Sequence, residues 1–292
     1  MSEVTTHRIT VAGVDVLYRT AGPQTPDAPT FLLLHGFPSS SLQFRNIMPL
    51  LAARGYRLIA PDLPGFGQTT APAGYAYTFG NLAATVEAFV DALHLHRFAI
   101  YVFDYGAPTG LRLALDRPES VLAIVSQNGN AYDEGLGEQF WAPVRRYWDS
   151  GAAQDREFLR DNALTFEVTL WQYTNGSHVT RESVEPLARQ DQDLMERPGN
   201  KDIQLDLFYD YRTNLPLYPS FQEYFRTSNV PVLAMWGEND EIFVKAGAEA
   251  FRRDVKRLQV SYLDAGHFAL EGNEETAVEI MDGFFTKEKV FQ

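Results

Sequence analysis

The stretch VFDYGAPTG, Val102 to Gly110, decides how the rest of the chain is read. An apolar run ends at Phe103, two residues later comes Gly106, and a helix-forming segment follows. Glycine lets the turn be sharp, and Pro108 suits the first turn of a helix because its missing N–H costs nothing there. The spacing predicts a strand, a tight elbow and a helix, with Asp104 at the apex. A side chain there stands at the top of the sheet. The N–H of Tyr105 then points from a helix N-terminus towards an anion.

On either side of the elbow the same rhythm recurs. FLLLHGF (31–37), YRLIAPDLPGFG (56–67), FAIYVFD (98–104) and VLAIVSQ (121–127) are short apolar runs that close in Gly, Pro or polar residues. Runs that do not alternate fit strands of a parallel sheet buried on both faces. Between them, Phe44, Ile47, Met48 and Leu51 follow helical spacing, as do Leu82, Val86, Phe89, Val90 and Leu93. Ahead of them, HRITVAGVDVLYRTAG alternates around a Gly-centred turn and reads as a β-hairpin. The rhythm stops near Gly129 and resumes at VPVLAMWGEND (230–240), followed by LQVSYLDAG (258–266) and a last helix, EETAVEIMDGFF. Residues 130–226 hold three of the four tryptophans and helical stretches such as DREFLRDNALTFEVTLWQY and RESVEPLARQDQDLM, with no clear strand. The expected architecture is therefore α/β: a mostly parallel, doubly wound sheet formed by 1–129 and 227–292, with a helical cap at 130–226 inserted after the sixth strand.

Composition narrows the function by exclusion. With no cysteine, the chain has no disulfide, thiol nucleophile or thiolate metal site. A net charge of −13 without a basic cluster argues against nucleic acid or an anionic membrane as partner. A small, mostly apolar substrate fits better. No apolar run is long enough for a membrane span, and MSEVTTHRIT lacks the features of a secretory signal, so a cytoplasmic location is expected. The PGFG turn at 64–67 lacks the spacing of a nucleotide loop, and no cofactor or metal is expected. His94 and His96 in LHLHRF have no acidic or histidine neighbour to complete a metal site; they read as a solvated helix-to-strand link.

Four strand ends carry distinctive residues: His35-Gly36-Phe37-Pro38, the Asp104 elbow, Asp240 (with Glu238) in WGENDEIF, and His267 in DAGHFALE. The order nucleophile, Asp, His, with the first at a strand-to-helix elbow, resembles the α/β-hydrolase superfamily, and the resemblance covers nearly the whole chain. It implies Asp104 as nucleophile, His267 as the base that activates water, Asp240 as its acid partner, and the N–H groups of Phe37 and Tyr105 as an oxyanion hole. A carboxylate attacking a carbonyl gives an anhydride, whereas attack on an sp³ carbon gives an ordinary alkyl ester that water can open. Asp104 thus points to the branch that is similar to epoxide hydrolases and haloalkane dehalogenases.

The leaving group separates these two. An epoxide oxygen needs a proton donor, which a tyrosine supplies. Haloalkane dehalogenases typically hold a halide with a Trp after the nucleophile and a second Trp or Asn; here those places hold Tyr105 and Phe37. FYDYRTN resembles a cap motif of epoxide hydrolases and makes Tyr211 the donor. For a second donor the candidates are Tyr147 and Tyr173, since the best local match places Val144 at that position. His35, Pro38, Tyr173 and Phe268 are the remaining pocket candidates. Epoxide hydrolysis is the leading expectation. Haloalkane dehalogenation and a non-catalytic binding protein of the same fold are the alternatives. Asp104 also fits a plain turn residue, Asp240 a helix N-cap with Glu238 or Asp264 as the acid, and each cap tyrosine a packing residue.

Overall fold

The computed structural model describes residues 3–292. Strands β1 (Thr5–Val11) and β2 (Val14–Ala21) form the expected hairpin, with Ala12 and Gly13 both at positive φ (49° and 82°). That two-residue geometry matches the twist of the strands it joins. Six more follow: β3 (Thr30–Leu34), β4 (Arg57–Pro61), β5 (Phe98–Phe103), β6 (Val121–Gln127), β7 (Val232–Gly237) and β8 (Leu258–Leu263). They build one eight-stranded sheet in the order β1-β2-β4-β3-β5-β6-β7-β8, antiparallel at the β1-β2 and β2-β4 pairs and parallel from β4 to β8.

The chain winds outward from β3 to β4, then returns to place β5 on the other side of β3. That reversal opens a crevice above the carboxyl ends of β3 and β5, where the loops beginning at His35 and Asp104 emerge side by side. The continuous apolar runs are explained by two cores, one on each face. Phe31, Leu33, Tyr101, Phe103 and Val125 belong to one core, Leu32, Leu34, Ile100, Val102 and Ile124 to the other. Neighbouring residues on a strand point to opposite faces, so a strand covered on both sides is apolar at every position.

Helices α1 (Ile47–Ala52), α2 (Phe79–Ala92) and α3 (Gly106–Asp116) separate the first strands. Between β6 and β7 come α4 (Glu138–Ser150), α5 (Ala153–Ala163), α6 (Phe166–Thr174), α7 (Arg181–Met195), α8 (Asn200–Asp210) and α9 (Tyr218–Ser228). The chain closes with α10 (Lys245–Ala250) and α11 (Glu274–Glu288). One core is completed by Met48 and Leu51 of α1 with Phe284 and Phe285 of α11, the other by Leu82, Val86 and Phe89 of α2 with Leu111 of α3. The stretch 155–173, which reads as one helical segment, is two helices: Thr165 caps a fresh helix by accepting the N–H of Val168. Among the described residues no helix is long and apolar enough to cross a membrane.

The α4–α8 layer is tied to the loops at the top of the sheet by hydrogen bonds. Asp210 accepts the N–H of Phe79 at 2.7 Å, Gln204 donates to the Gly65 carbonyl at 3.0 Å, and the Trp141 indole donates to the Ile242 carbonyl at 2.9 Å. In α9, Phe225 turns instead towards the sheet side and packs on Phe251 at 5.4 Å.

Candidate active site

The elbow is built as its residues suggest, with one difference in who bears the strain. Asp104 itself takes the left-handed conformation, φ 48°, which a non-glycine residue adopts only when its surroundings enforce it. Gly106 is needed for a different reason: a β-carbon there would sit 2.2 Å from the Leu34 carbonyl oxygen, so only glycine lets α3 close onto β3. Gly36 is the matching gap on the neighbouring loop, since a β-carbon would lie 2.4 Å from that of Asp104. The two loops can therefore touch. The Phe37 N–H donates to Asp104 Oδ1 at 2.5 Å.

His35 anchors this loop from below. Its Nε2 accepts the N–H of Leu63 at 2.9 Å and its Nδ1 lies 3.0 Å from the Gly36 carbonyl, which makes Nδ1 the protonated nitrogen. Burial holds its pKa below the usual imidazole value, so the ring is neutral. Both nitrogens are spent on backbone groups, which makes His35 a strut between the HGFP and DLPGFG loops. Pro38 lines a water-sized cavity of about 10 Å³ with Phe66, Asp191 and Gln204.

At the other side, His267 Nδ1 lies 2.8 Å from Asp240 Oδ2, and His267 Nε2 is buried with no protein partner. Asp240 Oδ1 accepts the N–H of Ile242 at 2.7 Å, which makes its loop an Asx turn; α10 starts only at Lys245, so Asp240 is not its N-cap. Glu238 and Asp264 are exposed and bind Lys245 and Asn239 respectively. Of the three acids, only Asp240 reaches the imidazole. Its partner Asn128 does not stand out in the sequence: its amide donates to Asp240 Oδ2 at 2.7 Å while its oxygen accepts the N–H of Gly237 at 2.9 Å. The available signal was the run Gln127-Asn128-Gly129-Asn130 at the end of an otherwise apolar strand.

The electrostatics follow from burial. Desolvation raises the Asp104 carboxyl to about 6, although His267 and the N–H groups of Phe37 and Tyr105 pull it down. For His267 burial pushes down, but the Asp240 carboxylate, its hydrogen bond and the charge of Asp104 together lift the imidazole above its ordinary value.

Aromatic side chains enclose the carboxylate. The Tyr105 ring packs against Phe79, Phe37 and Tyr211 at 4.9, 5.8 and 5.9 Å. Tyr211, just beyond α8, also meets Trp141 at 4.5 Å and lies parallel to Trp148 at 6.1 Å. Burial, Tyr218 and the charge of Asp104 push its phenol well above the usual range. Tyr147 is elsewhere: its ring packs on Tyr209 and its hydroxyl accepts from Arg156. Val144 lines a cleft between α4, α5 and α6 with Phe158 and Trp171. Tyr173 spends its hydroxyl on Asp191 at 2.6 Å and stacks on Phe268 at 3.9 Å, so these two brace the His267 loop.

Comparison with known proteins matches this architecture. The family model described as alpha/beta hydrolase fold matches residues 29–274. The chain belongs to the α/β-hydrolase family. This α/β hydrolase is 47% identical over 286 residues to an uncharacterized hydrolase of Saccharomyces cerevisiae, covering 96% of this chain and 97% of the other. A haloalkane dehalogenase of Psychrobacter cryohalolentis is 38% identical over 128 residues, 43% of this chain and 42% of that one. Among solved structures, the epoxide hydrolase CorEH superposes with a TM-score of 0.79 over 98% of this chain and 99% of its own, at 19% identity, a likeness of fold. The sequence likeness to the dehalogenase thus covers less than half of the chain, and the likeness to the epoxide hydrolase is one of fold.

Proposed function

We propose that this α/β hydrolase opens epoxides through a covalent ester on Asp104, with residues 130–226 as a cap over the site. One observation carries the choice of leaving group: the Tyr211 phenol, not a free indole, packs on Tyr105 beside Asp104 and feels its charge. The indole N–H groups of Trp141, Trp148 and Trp236 are all spent on backbone carbonyls, of Ile242, Phe208 and Phe243. The Tyr211 phenol shares the aromatic enclosure with Tyr105 and keeps its proton to high pH.

In this reading the Phe37 N–H occupies Asp104 Oδ1, and Oδ2 attacks a ring carbon of the epoxide. The C–O bond breaks as Tyr211 gives its proton to the departing oxygen, leaving a hydroxyalkyl ester and a phenolate. Next, His267 Nε2 takes a proton from water, whose oxygen adds to the ester carbonyl. The tetrahedral oxyanion is held by the N–H groups of Phe37 and Tyr105. Collapse releases a diol, restores Asp104, and passes the proton from His267 back to Tyr211. Asp240 stabilises the imidazolium that forms between the two steps.

Dehalogenation through the same ester is the second reading, favoured by the kinship to a haloalkane dehalogenase over 128 residues. Both are tested with His267→Gln, which leaves no base for the second step. Incubation with styrene oxide should add the mass of the whole epoxide to the peptide carrying Asp104. Incubation with 1-bromobutane should add nothing. An adduct from the bromide alone, with bromide released, replaces epoxide by halide. A folded variant that takes no adduct from either reagent refutes covalent catalysis at Asp104.

A further inference from the structure

At the opposite end of the strands from Asp104 lies a cleft of about 460 Å³. Its walls come from the segment before β3, the start of β4, the link between α2 and β5, and the C-terminal residues. Arg57, His94, His96 and Arg97 all line it, beside the apolar side chains of Leu95 and Leu122, a single acidic side chain, Asp27, and Gln292. This gathers four basic side chains in a chain whose net charge is −13.

The two arginines are set apart by what they lack. Among the described residues every other arginine has a side-chain hydrogen bond or an ion pair. Arg57 and Arg97 have neither, and Arg57 Nε is buried with no partner at all. Acids are abundant in this chain, 38 against 25 lysines and arginines, so two neighbouring unpaired guanidinium groups are not a matter of supply. The HxH pair, which has no metal-site neighbours by sequence, sits on the same wall; among the described residues no group of His, Asp and Glu is arranged to hold a metal ion.

We propose that this cleft binds a small oxyanion, a carboxylate or a phosphate, between the guanidinium groups of Arg57 and Arg97, flanked by His94 and His96. The planar fork of donors on arginine matches both anions. A polyanion is disfavoured by the negative charge of the rest of the molecule. The site is separate from Asp104, and it stands or falls independently of the reaction proposed there.

Titration of the full chain with inorganic phosphate and, separately, with benzoate tests this, each against sodium chloride at matched ionic strength to remove plain screening. The ring resonances of His94 and His96 serve as reporters by NMR. At least one of the two anions should shift both rings saturably, and its identity tells phosphate from carboxylate. In Arg57→Gln/Arg97→Gln the apparent affinity should fall by about tenfold or more. If the change at Arg57, which opens β4, unfolds the chain, Arg97→Gln carries the test alone, since its side chain is exposed. Absence of a saturable shift with either anion, or a shift that survives loss of the arginines, overturns the proposal.

Discussion

The side-chain amide of Asn128 donates to Asp240 Oδ2, the same oxygen that lies on His267 Nδ1, at 2.7 and 2.8 Å. The acid is thus held from behind by the end of β6 while it holds the imidazole in front. A carboxylate fixed in this way can orient His267 with Nε2 turned towards the site, where that nitrogen has no other protein partner.

Asn128→Ala should therefore slow ester hydrolysis more than ester formation. Losing a hydrogen bond to a charged group costs about 1.5–3 kcal/mol, a rate loss of about 10–100-fold. Single-turnover kinetics with quenched mass analysis separate the two steps. Equal slowing of both would assign Asn128 a structural role only.

The two candidate tyrosines make opposite predictions. Tyr211→Phe removes the proposed acid and should lower the rate of epoxide opening by about 100-fold or more. Tyr147→Phe loses only a contact to Arg156 and should stay within about twofold of the parent. Steady-state assays of both variants on one epoxide decide the assignment, with circular dichroism as a check on folding.

The two chemical steps should fail at different pH. Ester formation needs ionised Asp104 and is lost as pH falls through about 6. Ester hydrolysis needs neutral His267, whose pKa the Asp240 carboxylate raises above the ordinary imidazole value, and so is lost earlier as the pH falls. On acidification the second step should fail first, so the fraction of enzyme trapped as ester during turnover rises as the pH is lowered, before ester formation itself fails near about 6. Tyr211 keeps its proton throughout, so no alkaline limb is expected below about pH 9. Rapid acid quench followed by intact mass measures the trapped fraction directly.

Asp191 offers a prediction about stability. Burial holds its carboxyl at about 7, against the lowering effects of the Tyr173 hydroxyl and Arg45, with Glu271 and Asp62 adding to the rise. Its pKa in the unfolded chain is about 3.9. The folded state therefore binds the extra proton between these values, and stability falls as pH rises from about 4 to about 7. Asp191→Asn keeps an acceptor for Tyr173 and removes this loss. It should be more stable than the parent by about 1–3 kcal/mol at pH 8, with the gain shrinking towards about pH 5. Urea unfolding at several pH values checks both the sign and the trend.

Much of this protein is local and so was legible as a string. The strand cores Phe31–Leu34 and Val121–Gln127 announce themselves because strands buried on both faces must be apolar throughout. The Asp104 elbow is likewise written in neighbouring residues, a strand end followed by glycine and proline. What chain order alone cannot carry is contact across distance. That Asp240 rather than Glu238 or Asp264 meets His267 depends on which of these side chains is buried, and Asp240 is held by Asn128, more than a hundred positions earlier. The tyrosines are a similar case. Tyr147 and Tyr211 look alike as aromatic residues in helical segments, and only packing turns one towards Arg156 and the other over Tyr105. Gly106 in the sequence suggests only a sharp turn, yet the fold needs it because helix α3 must pass against the backbone of β3. Sequence thus determined the order of the elements and the kinds of group available at each strand end. The tertiary structure decided which of them meet, because a hydrogen bond or a ring contact requires ångström proximity that spacing along a chain does not encode.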